Sequence, residues 1–336
     1  MPRLASLRLR KGREAPAGTV IRSGASMNSL MDELGAGSIL FGCMQIGGAW
    51  SPEPPSAEEQ ARALSALDTA FECGARLFDH ADIYTCGRSE ALFGEWLRSR
   101  GVPRDRVVIQ SKCGIRPGEV GAPDRYDFSR DHILRSVEAS LARLGVDHLD
   151  VLLLHRPDPL GEPAEVAEAV AELKRRGSIR AFGVSNFSAS QIRLYQKALD
   201  EPIRVNQLEL SLVHAGLIEA SVQINRPAPA LGAGVDDLLD FCRATGIDIQ
   251  AFSPLAGGQP GSAALVTAVA EVASRHGVSP ETVRVAWLLR HPARIRPVIG
   301  STRPERIRAA FAAARAQLSR EDWYQLLNAA RGADLP

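Results

Sequence analysis

Lysine is almost missing from this chain: only Lys11, Lys112, Lys174 and Lys197 stand among its 40 basic residues, and the rest are arginine. Against 39 acidic residues the formal net charge is +1, which leaves no long-range field to gather nucleic acid or an anionic membrane. No stretch approaches the roughly 20 apolar residues needed to cross a bilayer. The basic opening M-P-R-L-A-S-L-R-L-R-K-G-R also has no unbroken apolar run of the signal-peptide kind. The cysteines, Cys43, Cys73, Cys86, Cys113 and Cys242, are scattered, odd in number and without a C-x-x-C pair. That argues against a disulfide framework or a zinc ribbon and favours a reducing compartment, the cytoplasm. G-x-x-x-x-G-K-[ST] does not occur, which removes a P-loop. A doubly wound fold is weakened as well, because no G-x-G-x-x-G follows the first predicted strand; the partial match G-A-G-V-D-D at 232–237 comes late, after a loop.

What is present is a chain of 336 residues, 45% apolar and 24% charged, able to bury a large core. From residue 38 onward, short runs rich in Ile, Val and Leu alternate with segments of helical period, the pattern of parallel strands joined by crossover helices. Strands are predicted at 38–42, 76–79, 107–112, 150–155, 179–185, 204–207, 248–252 and 297–299. Ser56 and Glu59 form a capping-box pattern ahead of a helix whose Leu64, Leu67 and Phe71 share one face. Ile133, Val137, Leu141 and Leu144 mark a second such face, and Val166, Val170 and Leu173 a third. About eight strand–helix repeats in roughly 290 residues, with no break in composition, predict a single (β/α)8 TIM barrel over 36–336. An N-terminal extension over 1–35, with room for a small hairpin, precedes it. Two Pro/Gly-rich connections, 116–128 and 213–235, are expected as long rim loops, either shaping a substrate pocket or lying idle on the surface.

The stretch F-D-H-A-D-I-Y-T-C-G-R-S-E, 78–90, crowds Asp79, His80, Asp82, Tyr84, Cys86 and Glu90 together. It could be a metal site, a proton relay or a polar loop. In a barrel the C-terminal ends of all strands converge on one face, and three successive predicted strands end in Asp79, Lys112 and His155. Ionisable groups at the ends of apolar runs are costly to bury unless paired, so three at equivalent positions point to a site. Tyr84, in the loop leaving the Asp79 strand, could reach the same rim. A tyrosine, with a reference pKa near 10, needs roughly 4 kcal/mol of differential stabilisation to titrate about 3 units lower. A lysine ammonium held by Asp79 is expected to supply much of that. His155 would orient a carbonyl for proton transfer from Tyr84. His80, adjacent to Asp79 on a strand, should face the other way, which disfavours a shared metal. Asp82, Cys86 and Glu90 then read as loop and helix-start structure.

These segments resemble the catalytic segments of the aldo-keto reductases: F-D-H-A-D-I-Y at 78–84, S-K-C-G at 111–114 and L-L-L-H-R-P-D at 152–158. G-V-S-N-F at 183–187 and V-N-Q-L-E at 205–209 resemble that family's nicotinamide-binding strand ends, and the likeness runs in order from about Gly42 to Arg308. H-R-P-D-P-L and D-W-Y at 322–324 look closest to a bacterial branch of predicted oxidoreductases. The resemblance implies a catalytic tetrad of Asp79, Tyr84, Lys112 and His155, and an NADP cofactor. It places Ser185, Asn186 and Gln207 on the nicotinamide carboxamide. Phe252, with Ser253 and Leu255, falls where an aromatic ring usually stacks on the nicotinamide. Gly42, Cys43 and Met44 border the cofactor at the first strand, the last two replacing a frequent Thr-Trp, and Trp50 is the expected substitute in the pocket wall. Ser301, Arg303 and Arg306, at a predicted helix N-terminus, suit an adenosine 2′-phosphate, hence NADPH over NADH. His80 departs from the family's usual threonine, Thr85 from its glycine after the tyrosine, and Ala310 from its adenine-side amide.

The implied activity is NADPH-dependent reduction of an aldehyde or ketone, or the reverse oxidation of an alcohol or sugar at a CH–OH group. The substrate would be a small carbonyl or alcohol. The alternative is a non-catalytic regulatory subunit of the same fold that binds a nicotinamide nucleotide. A divalent-metal hydrolase on this barrel would need ligands at several strand ends, where the dispersed histidines and the central Lys112 do not provide them, so no metal is expected. Nothing in the sequence separates a monomer from a weak oligomer.

Overall fold

Each apolar run forms a strand, because a strand covered on both faces needs no polar alternation. In the computed structural model, which describes residues 28–118, 121–222 and 237–335, these are β1 (Leu40–Gly42), β2 (Leu77–Asp79) and β3 (Val108–Cys113). Two short strands, β4 (Ile115–Arg116) and β5 (Arg125–Tyr126), follow. The remainder are β6 (Leu149–Leu154), β7 (Ile179–Ser185), β8 (Ile203–Glu209), β9 (Asp248–Phe252) and β10 (Arg296–Ile299). Eight of them close in the order β1-β10-β9-β8-β7-β6-β3-β2, every neighbouring pair parallel. With crossover helices outside, this is the expected (β/α)8 barrel. The rim loop over 116–128 is drawn into an antiparallel hairpin by β4 and β5.

Serines start six of the outer helices. Ser56 and Glu59 make the predicted capping box at Ala57–Glu72, and Ser188 and Ser319 open Ala189–Gln196 and Arg320–Arg331 in the same way. Ser129, Ser262 and Ser279 cap three more helices through their hydroxyls. Each cap satisfies an N–H that the first helical turn leaves without a partner. The predicted faces are buried where the helices meet the strands, with Leu67, Ile133, Val137, Val166, Val170 and Leu173 in the outer core.

Inside the barrel the two-residue period sorts side chains into layers. The lower layer is apolar: Leu40, Leu77, Val108, Val151, Val205 and Val298 pack in one cluster. Two residues further along β2, β3 and β8 stand Asp79, Gln110 and Gln207, all buried. Below, a short helix, Leu30–Glu33, closes the floor. Leu30 and Met31 are buried in the lower layer, and the Met31 N–H donates to Asp248 Oδ2 at 3.0 Å. Asp32 pairs with Arg294 and Arg296, and Glu33 with Arg204. The end of the expected extension is therefore a helical stopper. The rest of the extension, with the hairpin considered for it, lies outside the described residues, as do 223–236 of the second rim loop. The described start of that loop forms the helix Gly216–Glu219 and a 3-10 turn, Ala220–Val222. Among the described residues no helix is long and apolar enough to cross a membrane.

Candidate active site

In the barrel order β2, β3 and β6 are neighbours, so Asp79, Lys112 and His155 meet on one arc of the rim. Lys112 Nζ donates to Asp79 Oδ1 at 2.8 Å and Oδ2 at 2.7 Å, to the His80 carbonyl at 2.9 Å and to the Tyr84 hydroxyl at 3.1 Å. Nζ also lies 5.0 Å from the centre of the Tyr84 ring. The His155 ring, one residue past β6, stands edge-on to Tyr84 at 5.8 Å.

The Tyr84 loop is held in a strained turn. Thr85, Cys86 and Gly87 have φ of +47°, +57° and +85°, a region that costs a side-chain-bearing residue roughly 1–2 kcal/mol. The Thr85 hydroxyl donates to the Tyr84 carbonyl at 2.7 Å and lies 3.2 Å from the Ser89 hydroxyl, which offsets part of that cost. The left-handed backbone explains why glycine suits this position, and the two hydroxyl contacts explain how threonine is held there.

The charges within this cluster correct one expectation. Burial acts to lower the Lys112 pKa, but Asp79 and then Tyr84 outweigh it, and the ammonium titrates above its usual range. Tyr84 was expected to titrate lower because of that ammonium. Instead burial pushes the phenol above 10.0, Lys112 opposes the shift and Asp79 adds to it. The lysine limits a desolvation penalty that it does not overcome. Burial and then Lys112 pull His155 down to about 2, so its ring is neutral at physiological pH. His80 faces away from Asp79 as expected, packing edge-on to Phe93 at 4.7 Å, and burial pulls it down to about 3.

Gln110 and Gln250 lie beneath these residues as buried polar support. Gln110 Nε2 donates to Asp79 Oδ1 at 2.6 Å, and Gln207 Nε2 donates to the same oxygen at 3.1 Å and to Gln250 Oε1 at 2.8 Å. The signal was in the strand period. Gln110 stands two residues before Lys112 and Gln250 two before Phe252, both inside apolar runs. Glu90 is more than a helix-start carboxylate: it is fully buried, receiving the Ser111 hydroxyl at 2.6 Å and Arg143 Nε at 2.7 Å.

Asp82, also read as loop structure, is raised from 3.8 to about 7 by burial first and Glu90 second, with Arg143 opposing. It lines an open cavity of about 340 Å3 with His132, Arg135, Ser136 and Arg143, and none of Asp79, Tyr84, Lys112 and His155 lines that space. A carboxyl with a raised pKa in the folded protein adds stability while protonated and loses it as pH rises from about 4 to about 7. The full shift is worth at most about 4 kcal/mol, and partial exposure of Asp82 reduces it. We expect Asp82→Asn to flatten this part of the pH profile in urea melts; a variant with the wild-type slope would refute the assignment.

Along the other half of the rim, β7, β8, β9 and β10 are consecutive neighbours, and the residues assigned to the cofactor follow that order. The Ser185 hydroxyl donates to the Gln207 carbonyl at 2.9 Å and accepts from Asn186 Nδ2 at 2.9 Å. Asn186, at φ +64°, also reaches the His155 carbonyl at 3.2 Å, joining the two halves. Phe252 ends β9 and is partly exposed; Ser253 follows at φ +50°, and Leu255 packs against the core. The Ser301 hydroxyl accepts the Arg303 N–H at 3.1 Å. Arg303 is the N-cap residue of the helix Pro304–Phe311, and both it and Arg306 are exposed. At β1, Gly42 comes close to Val298, Cys43 is fully buried and Met44 is exposed. Trp50 is 60% exposed, on a loop tied down where Arg88 and Glu59 grip the Ala49 backbone.

The aldo/keto reductase family pattern matches residues 38–330. An uncharacterized oxidoreductase of Bacillus subtilis, YcsN, is 38% identical over 290 residues, covering 82% of this chain and 90% of its own. A 6-dehydroglucose reductase of Agrobacterium fabrum is 34% identical over 314 residues, covering 91% and 98%. Among solved structures, an aldo-keto reductase of Klebsiella pneumoniae in complex with NADPH aligns with a TM-score of 0.71 at 25% identity, covering 89% of this chain and 92% of that one. By its pattern, its relatives and its fold, the chain belongs to the aldo/keto reductase family of oxidoreductases.

Proposed function

We propose that this protein reduces an aldehyde or ketone with NADPH, reversibly toward alcohol or sugar oxidation, using Tyr84 as the general acid. The observation that carries the proposal is the Lys112 ammonium, which bonds both oxygens of Asp79 and the Tyr84 hydroxyl at once. The His155 Nδ1 atom, buried without a protein partner, and the four adjacent strand ends bearing Ser185, Gln207, Phe252 and Ser301 suit an extended nicotinamide nucleotide laid across the rim.

In this reading Ser185, Asn186 and Gln207 hold the carboxamide and Phe252 offers its ring face. Gly42, Cys43, Met44, Ser253 and Leu255 border the cofactor, while Ser301, Arg303 and Arg306 take its 2′-phosphate. When bound, the cofactor supplies the hydride. His155, neutral, hydrogen-bonds the carbonyl oxygen and aims it at Tyr84. The Tyr84 hydroxyl gives up its proton to that oxygen. Lys112 then stabilises the phenolate left behind, and Asp79 fixes the lysine in place. Trp50 would stand in the substrate wall.

The test titrates the purified protein with NADPH and with NADH by intrinsic fluorescence, then follows nicotinamide absorbance over an aldehyde and ketone panel that includes 6-dehydroglucose. Tyr84→Phe should lower turnover at least ~10²-fold without weakening NADPH binding. Equal turnover by the variant would remove Tyr84 from the acid's role. Tight NADPH binding with no turnover of any carbonyl would favour the regulatory reading.

A further inference from the structure

Below the tetrad, three glutamines close a ring of hydrogen bonds. Gln110 Nε2 donates to Asp79 Oδ1 at 2.6 Å and to Gln250 Oε1 at 2.8 Å, while Gln207 Nε2 donates to the same two oxygens at 3.1 and 2.8 Å. Gln250 Nε2 returns to Gln110 Oε1 at 2.9 Å and reaches Met31 Sδ at 3.5 Å. All three glutamines are buried.

The orientations follow from one constraint. A carboxylate only accepts hydrogen bonds, so Gln110 and Gln207 must both turn their NH2 groups to Asp79. Their second hydrogens then meet Gln250, which must show its carbonyl. Turning over any one amide would set donor against donor or acceptor against acceptor, in an interior where such a mismatch is costly. Asp79 on β2 thereby dictates the orientation of an amide on β9. It also commits the Gln207 NH2 inward, leaving the Gln207 carbonyl oxygen as the atom this side chain can offer a ligand.

We propose that Gln110 and Gln250 are positioning residues that brace Gln207 in the orientation Asp79 imposes, Gln250 by accepting its second amide hydrogen, and so hold Gln207 as a hydrogen-bond acceptor for the cofactor's carboxamide. The coupling to cofactor rests on the reading of Gln207 given above; the amide ring itself does not.

The test uses full-length protein labelled with 15N-glutamine and titrated with NADPH, comparing wild type with Gln250→Leu and Gln250→Glu. Gln250→Leu removes the carbonyl that accepts the second amide hydrogen of both Gln110 and Gln207. The Gln207 side-chain amide signals should then shift and exchange faster, and the Kd for NADPH should rise roughly tenfold, as one unsatisfied buried polar group would cause. At saturating NADPH, kcat should fall less than about threefold. Gln250→Glu keeps the shape and, when protonated, keeps both the acceptor and the donor to Gln110. Near Asp79 the introduced carboxyl should titrate high. This variant should therefore bind NADPH like wild type at low pH and lose affinity as pH rises, with wild type flat over the same interval.

Unmoved Gln207 signals in Gln250→Leu would overturn the proposal, and so would a Gln250→Glu affinity that tracks wild type at every pH. If Gln250→Leu does not fold, the glutamate variant decides alone. Shifted signals with no NADPH binding by wild type would overturn the carboxamide role of Gln207, and the coupling to cofactor with it.

Discussion

Lys112→Met should lower kcat/KM for carbonyl reduction by at least about a thousandfold, the largest activity loss expected of any single substitution here. Methionine fills the same volume and leaves the Tyr84 phenol buried beside Asp79 with no cation between them. Those are the two largest influences that already push the phenol upward, and no cation would remain to stabilise the phenolate. The change should also destabilise the fold. Asp79, 2% exposed, would keep only the amide donors of Gln110 and Gln207, and removing one partner of a buried pair costs roughly 3–5 kcal/mol. Adding Asp79→Leu to Lys112→Met removes the orphaned charge but leaves the Gln110 and Gln207 amides without that acceptor, so urea melts should show only part of the stability restored while activity stays lost. A single Lys112→Met variant retaining a tenth of wild-type activity would contradict the proton-transfer reading.

Gly94→Ala should lower stability by about 3 kcal/mol, although alanine is the better helix former by up to about 1 kcal/mol. Gly94 lies within the helix Arg88–Arg100, against the end of the helix Arg130–Leu144. A Cβ there would overlap the Leu144 carbonyl oxygen and stand 2.7 Å from its carbonyl carbon and 2.8 Å from the Arg143 carbonyl oxygen. All three atoms are backbone, so no rotamer change relieves the contact. The helices must move apart, and that strains the Arg143–Glu90 bridge between them. For a chain of this size the expected fall in Tm is about 4 °C. An unchanged or higher Tm by scanning calorimetry would show that the helices separate freely.

The barrel and the clustering of Asp79, Lys112 and His155 at its rim were legible for the same reason. Apolar runs of strand length mark the barrel, and a charge at the end of such a run is conspicuous, so Asp79, Lys112 and His155 stood out before their strands were known to be neighbours. Gln110 and Gln250 were not, because an uncharged amide inside an apolar run is easily taken as incidental; only the period shared with Lys112 and Phe252 marks them as facing inward. The Tyr84 shift was misjudged because a neighbouring lysine can be inferred from spacing, whereas the desolvation that opposes it depends on depth. Glu90 suited a helix start, and its burial depends on Arg143, 53 residues away along the chain.

Because β1 closes on β10, the folded barrel presents no outer strand to another molecule. An open sheet leaves the N–H and C=O groups of its outermost strands available for pairing, whereas each of these eight strands has a neighbour on both sides. Among the described strands, free edges remain only on β4 and β5, each two residues long. Templated strand addition to the barrel, the route by which many sheets seed fibrils, therefore requires that one of its strand junctions, such as β1–β10 with two residue pairs in register, has already come apart.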